Sequence, residues 1–206
     1  MPSFKIEKST NGFILHSTKP EFRILQVTDM HFGVLFGRKK TQIREIRHIC
    51  DHYDVDLVVN TGDYWGGRAP FYYIKHVCKM FDEHLGYPWA FAWGNHDNEI
   101  STEKDWMGIF DKIETYLASL PNCLYAPSRN FIENYGSVPI DEDLREAKHV
   151  TPFLRGDKGL SRKDFNAFYG GNYKIQLKNP ENNEGAWEIF LMNSRQIGRA
   201  SCRERV

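Results

Sequence analysis

The chain of 206 residues has no run of about 18 uninterrupted apolar residues, so it offers no ordinary membrane-spanning helix. Its opening, MPSFKIEKSTNGFILHS, spreads Lys, Glu and Ser through the region where a secretory signal needs an apolar segment. A soluble, cytoplasmic chain with no membrane partner is expected. Cysteine is sparse: Cys50, Cys78, Cys123 and Cys202 are widely scattered, with no C-x-x-C pair, which argues against a zinc ribbon or a disulfide framework. Reduced, mostly buried thiols are the expectation. Net charge is also missing, because 27 Lys and Arg balance 27 Asp and Glu. Without a basic stripe interleaved with aromatics, general nucleic-acid binding is not expected. Internal repeats are absent, and the length suits one substantial α/β domain.

What the chain does have is alternation. FRILQVT (22–28) is a β-branched apolar run followed by a glycine-containing loop, then Ile43, Ile46, Cys50 and Tyr53 at helical spacing. DLVVNT (56–61) leads through GDYWGGRAP to Phe71, Ile74, Val77, Cys78, Phe81 and Leu85 on one helical face. WAFAW (89–93) leads through GNHDNE to a helix capped at Ser101, with Trp106, Ile109, Phe110, Ile113 and Leu117 on its apolar face. This β-α-β-α-β-α order predicts a mainly parallel sheet with strands buried on both faces. Residues 127–168 are polar and punctuated by Pro and Gly, and read as a long irregular excursion. NYKIQL (172–177) and WEIFLMN (187–193) then read as two antiparallel strands joined by a turn. The tryptophans Trp65, Trp89, Trp93 and Trp106 are most simply packing residues, and GRKK (37–40) a solvated loop.

Each unit ends its strand in ligand-type residues: Asp29-x-His31, then Gly62-Asp63, then Gly94-Asn95-His96-Asp97. In a parallel sheet these exits share the carboxyl edge, where α/β proteins place their sites. Singly, an Asp or His after a strand is more often a cap or turn residue. Three in this order point to function.

The motifs VTDMHFG, VVNTGD, AFAWGNHD and the later GNYKIQL…FLMNSR resemble the calcineurin-like metallophosphoesterase superfamily over residues 22–195, and within it the purple-acid-phosphatase-like branch. The resemblance implies an α/β sandwich of β-sheets flanked by helices. It also implies hydrolysis of phosphate esters at a dinuclear centre of divalent or trivalent Fe, Zn or Mn. Asp29 and His31 would hold one metal, Asp63 would bridge both, and Asn95 would hold the second. His96 would serve the leaving-group oxygen as acid or charge stabiliser, oriented by Asp97. The donor types suit such metals, and two ions charge the site and lower the pKa of a water.

Two departures qualify the resemblance. Gly66 stands where purple members carry a tyrosine ligand, so no purple chromophore is implied. The family's later G-H and G-H-x-H motifs are absent, since His149 is the only histidine after His96. QIGRASCRERV (196–206) resembles a translated sequencing adapter, so residues 1–195 are expected to be the N-terminal part of the domain, incomplete at the C-terminus, and 196–206 a non-native tail. On that reading the parent protein is a phosphoric ester hydrolase and the fragment is inactive. The competing reading is a non-catalytic scaffold of the same fold that binds proteins.

Overall fold

Three parallel strands carry the site. In the computed structural model, residues 4–9, 12–32, 39–65, 69–94, 96–97, 106–127, 171–182 and 184–193 are described. Strands β3 (Ile24–Val27), β4 (Leu57–Asn60) and β5 (Trp89–Phe91) form one sheet in the order β3-β4-β5, all parallel. Helix α1 (Lys39–Tyr53) lies between β3 and β4 in sequence, α2 (Phe71–Leu85) between β4 and β5, and α3 (Trp106–Leu117) after β5. The alternation read from the sequence is the alternation observed. The expected Ser101 cap, all but the first residue of the excursion at 127–168, with His149 in it, and the tail lie outside the described residues.

β4 and β5 are buried at every position, as a two-sided parallel strand must be. β3 departs from the expectation: Ile24 is 43% exposed, and among the described residues β3 pairs with β4 alone. Helix α1 buries Ile43, Ile46 and Cys50 at the anticipated spacing, but Tyr53, at its last turn, is exposed. Helix α2 buries Ile74, Val77, Cys78, Phe81 and Leu85 together with Tyr73, Met80 and Asp82, and stops at Gly86 in the left-handed conformation. The Asp82 carboxylate is fixed by the Trp89 indole N–H at 2.9 Å and the Asn122 backbone N–H at 3.1 Å, which ties α2 to the start of β5. Cys50, Cys78 and Cys123 are free and buried, as expected.

A second sheet is mixed, in the order β1-β2-β6-β7. Here β6 (Tyr173–Lys178) and β7 (Gly185–Leu191) pair antiparallel, as read from the sequence. Strands β1 (Phe4–Ser9) and β2 (Gly12–Ser17) form a hairpin that the reading did not anticipate, with β2 parallel to β6. Tyr173 joins the two sheets: its hydroxyl donates to the Phe91 carbonyl at 2.9 Å and accepts the Phe91 N–H at 3.0 Å. Parallel and antiparallel sheets with flanking helices are the architecture expected of the calcineurin-like metallophosphoesterase fold. Among the described residues no helix is long and apolar enough to cross a membrane.

Candidate metal centre

Where β3, β4 and β5 end, their exit loops run side by side. Pairing continues past the strands: Thr61 N–H donates to Val27 O (2.9 Å), Asp29 N–H to Gly62 O (3.1 Å), His31 N–H to Asp63 O (3.0 Å) and Phe32 N–H to Tyr64 O (2.9 Å). This irregular ladder lays Asp29 and His31 against Asp63. Ligand atoms of the three side chains all lie within 4.8 Å of one another, with His31 Nε2 and Asp29 Oδ1 3.6 Å apart. Two ligands of one ion at about 2.0–2.2 Å each can stand at most about 4.4 Å apart, so a small side-chain rotation closes the set. Two carboxylates and an imidazole suit Zn, Fe or Mn. The His96 ring faces the same group, its centroid 5.6 Å from that of His31. Asn95 lies outside the described residues.

The backbone at these positions is strained. Asp29, His31 and Asp63 have φ of 52°, 41° and 53°, in the left-handed region that costs a non-glycine residue about 1–2 kcal/mol. Three such residues in one cluster mark a geometry that the surroundings impose, which is where functional strain collects.

Close approach of two glycines makes the cluster possible. A Cβ on Gly62 would stand 2.6 Å from Gly94 Cα, and one on Gly94 would fall onto the backbone nitrogen and carboxylate of Asp63. Only side-chain-free backbone lets the second and third loops touch.

Asp97 does something the sequence did not suggest. It is wholly buried. Its Oδ2 accepts the backbone N–H groups of Asp63 (2.9 Å) and Gly94 (2.8 Å), and its Oδ1 those of Tyr64 (2.8 Å) and Trp65 (3.2 Å). The Trp65 indole N–H completes the clasp by donating to the Asp97 carbonyl at 2.8 Å. Burial pushes this carboxyl up to about 7, against the lowering by its backbone donors. The carboxylate binds the loop carrying Asp63 to the loop carrying His96. His96 contributes to the same lock, its backbone N–H donating to Asp63 Oδ1 at 2.8 Å.

The family model for calcineurin-like phosphoesterases matches residues 22–198. That span includes β3 and every residue of the cluster, and the chain belongs to this family. No curated protein matches it. Among solved structures it is similar to the crystal structure of Pseudomonas putida nuclease MPE, at 16% identity and a TM-score of 0.31. That match covers 50% of this chain and 56% of the nuclease, so the chain spans a little over half the length of that protein.

Proposed function

We propose that this chain carries the core of a metal-dependent phosphoesterase of the purple-acid-phosphatase-like branch. Asp29, His31 and Asp63 would hold one ion, and Asp63 with Asn95 would hold a second. The observation that carries the reading is the convergence of Asp29, His31 and Asp63 within 4.8 Å at the carboxyl edge of a parallel sheet. Bound ions of this kind supply positive charge for the phosphoryl oxygens and a water of lowered pKa.

The chain's own residues supply position and proton. Asp63 has one oxygen held by the His96 backbone N–H, which fixes the orientation of the carboxylate before any ion arrives. The His96 imidazole, half-buried beside His31, is placed to give a proton to the departing oxygen or to stabilise its charge. Asp97 acts as a positioning residue through the two loops. Asp63 and Asn95 alone are few donors for a second ion, so its affinity is weak.

The test is a Mn²⁺ titration of the 206-residue chain followed by aryl phosphate hydrolysis. About one ion per chain is expected, lost in Asp63→Asn. Turnover should be slow and confined to high Mn²⁺. His96→Ala should lower it at least 100-fold with Mn²⁺ content unchanged, within the range of general acid catalysis of roughly 10²–10⁴. A wild-type chain that binds no Mn²⁺ ends the metal reading; full turnover in His96→Ala makes His96 structural.

A further inference from the structure

A buried relay stands directly behind the turn that carries His96. The Trp93 indole N–H donates to the Tyr125 hydroxyl at 2.7 Å, and that hydroxyl donates to Glu114 Oε1 at 2.7 Å. Trp93 is 1% exposed, Tyr125 2% and Glu114 2%. A carboxylate this deep is costly to desolvate, and such a polar network normally serves to fix one arrangement of its neighbours. The three residues come from separate elements. Trp93 leaves β5, Tyr125 follows a segment bridged to β5 through Trp89 and Cys123, and Glu114 lies on α3.

The Trp93 ring is packed by its neighbours as well as hydrogen-bonded. The backbone of Gly171, just before β6, lies against the same edge of the ring, since a Cβ there would meet Trp93 Cδ1 at 2.5 Å and Nε1 at 2.8 Å. Trp65 and Phe91 meet it edge-on at centroid distances of 5.7 and 5.3 Å. Trp65 is also the residue whose indole grips the Asp97 carbonyl. The two tryptophans therefore brace each other, one in each of the two loops that Asp97 clasps. The residue after Trp93 is Gly94, whose backbone rests on Asp63.

We infer that Tyr125 and Glu114 are positioning residues of the metal centre: through the Trp93 indole they hold the turn at Gly94–Asp97, and with it the Asp63 carboxylate, in ligand geometry. The inference rests on the proposed metal site, but its mechanical part concerns the metal-free chain as well. A packing role alone would affect stability and nothing else.

The experiment compares wild type, Tyr125→Phe and the double variant Tyr125→Phe/Glu114→Leu. It uses thermal melts, residue-level amide exchange of the metal-free chain and Mn²⁺ affinity. Tyr125→Phe strips a donor from Glu114 and an acceptor from Trp93, so its melting temperature falls; the double variant removes the buried carboxylate and recovers part of the loss. In both variants the amides of Asp63, Tyr64, Gly94 and His96 should exchange at least 10-fold faster relative to Val58 and Val59, and Mn²⁺ affinity should drop about 10-fold, the lower end for supporting residues around a metal. The inference is overturned if the double variant regains wild-type exchange and affinity together with its stability, or if loop exchange follows global stability in both. Should wild type bind no Mn²⁺, the proposed function falls, and the exchange comparison still decides the positioning role.

Discussion

Gly94→Ala should abolish the metal site while leaving most of the fold intact. The added methyl would land on the Asp63 backbone nitrogen and carboxylate. Neither can retreat freely: the nitrogen is bonded to Asp97 Oδ2, the carboxylate to the His96 N–H, and the Asp63 carbonyl to the His31 N–H. Relief requires parting the second and third loops, which moves Asp63 away from Asp29 and His31. Overpacking typically costs about 1–3 kcal/mol, so a folded chain with a lowered melting temperature is expected. Mn²⁺ affinity should fall by at least 100-fold. Gly86→Ala is the comparison: Gly86 is a left-handed position, which Gly94 is not, and its methyl meets only the Arg47 side chain, at 3.6 Å, remote from the cluster. That variant should lose stability and keep its Mn²⁺ affinity. Equal metal binding by wild type and Gly94→Ala would mean that the contact between the two glycine-bearing loops does not set the site.

The cluster was legible because its chemistry is written locally. Asp29, His31 and Asp63 each follow an apolar run, and parallel strand order places such exits on one edge. The role of Asp97 was not, because its four hydrogen bonds reach residues up to 34 positions away, and no spacing rule encodes which backbone donors a carboxylate will meet. Trp65 and Trp93 read correctly as packing residues, yet their indole N–H groups carry the information, to the Asp97 carbonyl and the Tyr125 hydroxyl. The left-handed φ of Asp29, His31 and Asp63 is likewise a tertiary result, imposed by the ladder between the loops. The β1–β2 hairpin was missed although a signal existed. Thr10-Asn11-Gly12 between the runs FKIEKS and FILHS is a turn signal in the sequence, and the parallel partner of β2 lies some 160 residues away in β6.

Asp97→Asn should separate site geometry from global stability, and the separation should change with pH. The amide keeps the shape of the carboxylate but accepts at one position only, so its NH₂ faces two of the four backbone donors. Two stranded N–H groups cost about 1–3 kcal/mol each. Opposing this, the substitution removes a buried charge whose ionisation the interior resists: burial pushes the Asp97 carboxyl up to about 7. An acid with a raised folded-state pKa contributes stability that is fully present below its unfolded value, near 3.9, and is lost as pH rises through 7. The asparagine has no such dependence. In metal-free protein the wild type should therefore lose about 1.4 kcal/mol per pH unit at most between pH 5 and 7 from this group, and the variant should not. The variant is expected to melt well below wild type at pH 5 and close to it at pH 8. At pH 8 its Mn²⁺ affinity should still be reduced about 10- to 100-fold, because the loops bearing Asp63 and His96 have lost half of their clasp. Melts across this pH range with a Mn²⁺ titration at pH 8 check both halves. A gap in melting temperature that stays constant with pH would refute the titration of Asp97, and wild-type affinity at pH 8 would show that the carboxylate does not hold Asp63 in place.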